Sequence, residues 1–352
     1  MNFPTGSEEK SGVISFEKPI DYDKKKKVEL CRGIYEEEYD EVINFLKREN
    51  KMSSGNFTIL SREELKRYSA LNAYTVLMRA PNSEIYGTIF SIPLPIKING
   101  EIIEHGCTSF LNVHSKIRGF KMCMILIREL AQYGFENNIL CSYQLSSFKM
   151  CETAIEVNSW FRPISLMRSL LLGFTFPGYN EISNFNKNRL LYKCKVPKNC
   201  VIKQVKDGNR AEALRFYQDI NKGNKFVFYP SDSLFEKWIK LYPSYLVSNG
   251  KEIIGFFTLG TLNCKMSTGA EGTLCSPLLF NSLKGKSEVV LKCLLSIAEE
   301  KDYDLLYGNQ VGDLTEEVYK SVHAIKNKAV SYFSLYNNSA KLQSEDIFAP
   351  LF

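Results

Sequence analysis

The sequence predicts an α/β fold in which one structural unit is used twice along one continuous sheet. Three observations point there. β-type runs alternate with stretches of helical periodicity, the pattern of layered α/β domains. Two distant segments also repeat one order of features: residues 74–92, "YTVLMRAPNSEIYGTIFSI", are echoed by residues 245–259, "YLVSNGKEIIGFFTL". In each, a strand turns and returns as Ile-apolar-Gly. That glycine then precedes a helical leucine by the same 39 residues, Gly87 to Leu126 and Gly255 to Leu294. Matching order at matching spacing indicates duplication, the alternative being chance likeness of two ordinary hairpin-helix-strand segments. Finally, neither half carries an obvious cover for its own sheet edge, which favours one sheet running across both.

Taken in order, residues 1–33 read as a flexible lead, with Gly6, Ser7, Gly12 and few apolar positions. Tyr35, Tyr39, Val42, Ile43 and Leu46 recur at helical spacing and predict a helix over 34–47. Ser61 is the expected N-cap of a second helix, with Glu64 closing a capping box. Strands follow at 74–80 and 85–92, turned by Pro81-Asn82-Ser83. Asn99-Gly100 tips the next hairpin, because a type I′ turn needs positive φ at both central residues. A strand at 108–113, a helix at 122–133 and a strand at 139–143 complete the first unit. The seam is expected near 195–206, where Val196-Pro197 ends a strand. The division is thus a lead, a first half over 34–197 and a second over 198–352. In the second, the helix holding Leu294 leads into the apolar run "DYDLLYGN".

Composition narrows the class. The 352 residues are 44% hydrophobic and 24% charged, ordinary for a globular chain. No run of about 18 apolar residues exists, and no apolar leader core precedes Asp23, so neither a membrane span nor secretion is expected. Ten cysteines are scattered with no Cys-x-x-Cys pair, and there are only three histidines. A structural metal is therefore not expected, and a reducing, cytoplasmic setting fits best. The formal charge of +6 is modest. Lys24 to Lys27 form a run that is either simply solvated or a weak contact for an acidic surface such as ribosomal RNA or anionic lipid. No basic groove interleaved with aromatics is present, so nucleic acid is not an expected partner.

The most informative stretch is "TSFLNVHSKIRGFKMCMILIREL", residues 108–130. It begins as a buried strand and ends as an amphipathic helix, joined by a basic elbow. A helix start offers unpaired N–H groups and the positive end of its dipole, which suit phosphate. Arg118 and Lys121 bracket Gly119, where backbone can approach an anion closely. On these residues alone the elbow is either a solvated basic turn or an anion cradle.

The same stretch resembles the coenzyme A pyrophosphate loop of the GCN5-related N-acetyltransferases, with Lys121 and Cys123 where that pattern has small residues. It is more similar to the signature of the protein N-myristoyltransferase family, which Phe110, Leu111, Val113, His114, Lys116, Arg118, Leu126 and Ile127 match. The likeness continues in order through "IYGTIFSIPLPIKI" (85–98), Ser159-Trp160-Phe161-Arg162, "LYKCKVP" (191–197) and Leu335-Tyr336-Asn337. The resemblance implies two fused N-acetyltransferase-like halves sharing a mixed, saddle-shaped sheet with surrounding helices. The first would bind acyl-CoA and the second shape the peptide groove.

It also implies an activity: direct transfer of myristoyl from myristoyl-CoA to the N-terminal glycine amine of peptides or nascent proteins. No cofactor is bound permanently, no metal takes part, and the expected state is a monomer. The backbone N–H groups of Phe110 and Leu111 would hold the thioester oxygen as charge develops on it. Preorganised donors of this kind are worth about 2.7–4 kcal/mol each. A β-bulge would free them, although both residues also read as plain strand core. The base would be the carboxylate of Phe352, whose ordinary pKa of about 3.3–3.7 suits that role only after desolvation. Phe110 to Val113, including Asn112, and Arg118 to Cys123, including Gly119, Phe120, Lys121 and Met122, would contact the CoA. Phe57, Ile59, Tyr143 and Trp160 would contact the acceptor.

The chain also departs from the family. No aromatic segment for the adenine is evident in 1–33, and the expected acidic peptide loop is replaced by "NKMSSGN" (50–56), which weakens any lysine preference. Gln144-Leu145-Ser146 stand where Thr-Ala-Gly is usual. Lys326-Asn327-Lys328 lie where a Gly/Asp-rich turn is usual. These losses leave two alternatives: a protein that binds acyl-CoA or an acylated peptide without turnover, and an N-acyltransferase that uses another acyl chain.

Overall fold

The computed structural model describes residues 28–50, 57–118, 121–147, 149–172, 192–250, 252–265, 270–338 and 340–352. The Lys24–Lys27 run, Gly119, Phe120 and most of the 50–56 loop lie outside them.

The first half opens with β1 (Glu29–Arg32), α1 (Tyr39–Asn50) and β2 (Phe57–Ile59). The expected lead is therefore shorter than 1–33, because β1 pairs along β3 (Tyr74–Arg79) from Glu29 to Arg32. Between them, α2 (Arg62–Ala70) starts at Ser61, whose Oγ accepts the Glu64 N–H at 3.1 Å. The other half of the expected capping box is not made, since the Glu64 side chain turns to Arg67. β4 (Ile85–Ile98) and β5 (Glu101–Val113) extend the predicted strands into a long hairpin. Asn99 and Gly100 both take positive φ, 50° and 92°, as the tip requires. α3 (Met122–Glu136), β6 (Cys141–Ser146), β7 (Ile155–Pro163) and α4 (Leu166–Leu171) follow.

The second half contains β8 (Cys200–Gln204), α5 (Arg210–Ile220), β9 (Phe226–Phe228), α6 (Asp232–Leu241), β10 (Ser244–Asn249), β11 (Glu252–Lys265) and β12 (Glu271–Ser282). It ends with α7 (Ser287–Glu300), β13 (Leu305–Asn309), α8 (Glu316–Ser321), β14 (Ile325–Tyr336) and β15 (Ile347–Phe348). The strand expected to end at Val196-Pro197 is absent. Residues 193–197 are irregular, and pairing resumes with β8 against β10.

The duplication is visible in the topology. One open mixed sheet runs β1-β3-β4-β5-β6-β14-β7-β13-β12-β11-β10-β8. In each half an antiparallel meander of three strands is followed by a helix and a fourth strand parallel to the third: β5 with β6, and β12 with β13. The halves then exchange strands. β14 of the second pairs with β6 of the first, and β7 of the first pairs with β13 of the second. β2 crosses to β11 and β9 crosses to β4. Each lobe is thus completed by segments of the other, which makes the sheet continuous.

The repeated glycines have one job in both lobes. A Cβ at Gly87 would sit 2.8 Å from Leu126 of α3, and a Cβ at Gly255 would strike Val290 of α7. Each glycine lets a helix close onto the sheet. Under α3, Met122, Leu126 and Leu130 pack on Val76, Met78 and Ile89. Under α7, Val290, Leu291 and Leu294 pack on Val247, Ile254 and Phe257. The largest core lies between the lobes and joins Tyr68, Phe90, Tyr143, Phe226, Trp238, Phe256 and Phe333.

Candidate active site

Strand β5 is distorted where chemistry was expected. Thr88 of β4 pairs with Asn112 and Phe90 pairs with Ser109, so Phe110 and Leu111 face one residue between them. Phe110 is left-handed, at φ 50°, and its carbonyl accepts the Thr88 hydroxyl at 3.0 Å. An unpaired extra residue in an αL conformation is a β-bulge, which re-aims backbone groups away from the ladder.

Beside the bulge lies a cavity of about 230 Å³. Ser109 and Phe110 line it from β5, Leu145 and Ser146 from β6, and Leu351 and Phe352 from the chain end. The Phe352 ring sits among Tyr68, Tyr242 and Trp238, at centroid distances of 5.7, 6.0 and 6.2 Å. Pro350 anchors that segment. Its carbonyl accepts the Tyr143 hydroxyl at 3.1 Å and the Cys107 thiol at 3.7 Å. Burial pushes the Cys107 thiol up to about 12, so it stays protonated.

The cavity also has a charged wall. Glu64 and Tyr68 of α2 line it together with Tyr242. Arg67 bonds Glu64 and, at 2.6 Å, Glu63, and stacks over the Tyr242 ring at 5.4 Å. Burial pushes the Glu64 carboxyl up, against the pull of Arg67. Nothing in the sequence marked Glu64 as more than a cap, because only the fold brings α2 against the chain end. Leu60 and Thr261 are shared with a wider groove of about 1090 Å³, whose walls include Asp40, Lys47, Arg62, Glu271, Asp302 and Asp304.

The basic elbow is pinned by Glu49, also missed in the sequence. Its buried carboxylate accepts the Ser115 N–H at 2.8 Å and lies 3.6 Å from Arg118 and 3.7 Å from His114. The His114 Nδ1 accepts the Lys116 N–H at 3.1 Å, leaving Nε2 between Glu49 and Glu84. Arg118 also donates to the Val113 carbonyl at 3.2 Å, and about half its side chain is exposed. Lys121 is the left-handed N-cap of α3, and its side chain makes no capping bond to that helix start.

The other expected site residues separate into groups. Leu111, Asn112 and Val113 continue the bulged strand toward the elbow. The Met122 side chain is in the core under α3, which leaves only its backbone at the helix mouth, whereas Cys123 is exposed. Tyr143 is fully buried and holds the chain end instead of lining the cavity. Trp160 stands apart, in the second-lobe core, stacked on Tyr319 at 5.5 Å. Phe57 and Ile59 lie in β2 against β11, and their side chains are outside the described residues. Among the described residues no group of three His, Cys, Asp or Glu is placed to hold a metal ion.

Two exchanged lobes, a bulged strand over a cavity and a helix start beyond it define a two-lobed α/β protein built on one mixed sheet. Residues 33–148 match the family model described as myristoyl-CoA:protein N-myristoyltransferase, N-terminal domain. A crystal structure of Saccharomyces cerevisiae N-myristoyltransferase with bound myristoyl-CoA superposes with a TM-score of 0.80 at 12% identity, covering 98% of this chain and 95% of that one. A second structure of the yeast enzyme with bound myristoyl-CoA gives 0.79 at 12% identity, covering 97% and 91%. No curated protein matches the chain by sequence.

Proposed function

We propose that this chain transfers a myristoyl group from myristoyl-CoA to the N-terminal glycine amine of peptides or nascent proteins. One observation carries the reading: the bulge at Phe110 and the chain end at Phe352 line the same cavity. The family match over 33–148 supports it.

In this reading the thioester carbonyl points at the bulge, where the Phe110 and Leu111 N–H groups hold the developing oxyanion. Such donors supply about 2.7–4 kcal/mol each. The amine nitrogen attacks the carbonyl carbon, a C–N bond forms and the C–S bond breaks; the second proton shed by the new amide nitrogen goes to the CoA sulfur, which leaves as thiol. The acceptor enters as an ammonium, since an α-amine has a pKa of about 7.7–8.0. The Phe352 carboxylate takes its proton, the ring of that residue being packed among Tyr68, Tyr242 and Trp238. Arg118, Lys121 and the start of α3 hold the CoA phosphates, and the acceptor peptide leaves along the wider groove, whose walls come from both halves.

The enzyme would work in the cytoplasm as a monomer. Its ten cysteines are all free, and among the described residues no helix is long and apolar enough to cross a membrane. The test is calorimetric titration with acyl-CoAs of several chain lengths, paired with an assay for CoA thiol release on a glycine peptide. Binding of myristoyl-CoA with thiol release is expected. Binding without release on any glycine peptide would favour a carrier, and preference for a shorter chain would reassign the acyl group.

A further inference from the structure

Outside the bulge and the chain end, the most unusual part of the cavity is its polar wall. Glu64 is 8% exposed and Tyr242 is 1% exposed, and both line the cavity. Arg67 bonds Oε1 of Glu64. The Tyr242 hydroxyl is buried and, among the described residues, has no hydrogen-bond partner. Its ring cannot swing away to find one, being packed on Trp238 at 4.8 Å and under Arg67. A buried hydroxyl without a partner costs free energy unless a ligand completes it, and the Glu64 carboxylate lines the same cavity. Ser109, which also lines this cavity and whose Oγ is buried, directly precedes the bulged Phe110.

We propose that Glu64 and the Tyr242 hydroxyl form a subsite that receives an ammonium group of the acyl acceptor beside the bulge. This rests on the acyl-transfer reading above and adds the group that selects and steers the acceptor. Charge decides the ligand. Glu64 is the charged side chain among the described residues that line the cavity, so a cation is favoured and a phosphate or carboxylate is repelled. Hydrogen-bonding chemistry agrees, because an ammonium presents three donors and no acceptor, and the carboxylate and hydroxyl oxygens both accept. The raised carboxyl of Glu64 fits as well, since an arriving cation offsets the burial that disfavours its charge. Either an N-terminal α-amine or a lysine ε-amine has this chemistry.

The experiment titrates three peptides into the full chain saturated with a non-hydrolysable myristoyl-CoA analogue. One has a free N-terminal glycine and no lysine, one is its N-acetylated form, and one is N-acetylated with a lysine near its start. Wild type should bind a free-amine peptide about tenfold or more tighter than the blocked one, a difference readily resolved by calorimetry. Glu64→Gln should remove most of that preference, and Tyr242→Phe part of it, with unchanged circular dichroism and analogue affinity. The lysine peptide identifies which amine is used. A preference kept in both variants, or absent from wild type, overturns the subsite. Failure of the analogue to bind would instead remove the acyl-transfer reading, and the same titrations without it still decide whether Glu64 recognises an ammonium.

Discussion

The hydroxyl of Tyr143, at the centre of the sheet, donates to the carbonyl of Pro350 over 3.1 Å. That bond joins β6 to the last residues of the chain and holds Leu351 and Phe352 against the bulge at Phe110. Tyr143→Phe keeps the ring packing against Phe226 and Phe333 and removes only the bond. Stability should fall by about 0.5–1.5 kcal/mol, the net value of such a bond. Transfer should fall further than that stability loss explains, while myristoyl-CoA affinity stays level. Urea melts beside kinetics would check this, and a variant with full turnover would show that the Pro350 anchor is dispensable.

Extending the chain beyond Phe352 should abolish transfer and spare the fold. The ring of Phe352 is enclosed by Tyr68, Tyr242 and Trp238, so added residues must either displace it or thread through the cavity. An added peptide bond also converts the carboxylate to an amide, which takes up no proton. Loss of a positioned base typically costs about 10²–10⁴ in rate. A tagged protein that turns over normally would sink the role given to this carboxylate.

Glu49→Ala sets two effects against each other. Removing the charge frees Arg118 for phosphate, a gain of less than about 1 kcal/mol because the guanidinium is half exposed and screened. Removing the carboxylate also releases the Ser115 N–H, and reordering even one or two elbow residues costs about 1–2 kcal/mol each. Loosening wins, so myristoyl-CoA affinity should drop several-fold. Titration at two salt concentrations would check it; tighter binding would mean that charge dominates the elbow.

What the sequence made legible was whatever depends on near neighbours. Asn99-Gly100 announced its turn, Ser61 its cap, and the spacing of Gly87 and Gly255 the repeated unit. The exchange of β7 and β14 between lobes was not legible, because each reads as an ordinary strand and its partners lie far along the chain. The bulge was hidden for a similar reason: Phe110 reads as strand core, and its left-handed φ follows from register with β4. Glu49, Glu64 and Tyr242 sit on helix or strand termini that look solvated until the lobes close on them. The family resemblance supplied Phe110 and Phe352 as site residues. The structure adds that both line one cavity.

His105 gives the fold an acid-sensitive point. The ring is fully buried, edge-on to Phe226, with Nδ1 3.0 Å from the Ile103 carbonyl and Nε2 without a partner. Burial holds its pKa below the ordinary value of 6.5. The unfolded chain then binds the proton more readily than the folded one, so this contribution to stability is present above pH 6.5 and is lost as pH falls through the folded value. Between those two points the loss approaches about 1.4 kcal/mol per pH unit. His105→Leu lacks the titration, whereas the carboxyls of Glu64, Glu104 and Asp313, which desolvation raises, titrate alike in both proteins and cancel in the difference. Wild-type stability should therefore decline relative to the variant on going from pH 7 to pH 5 in parallel urea melts. A difference that stays flat over this range would mean the ring accepts its proton as easily folded as unfolded, and that the open Nε2 finds a partner when charged.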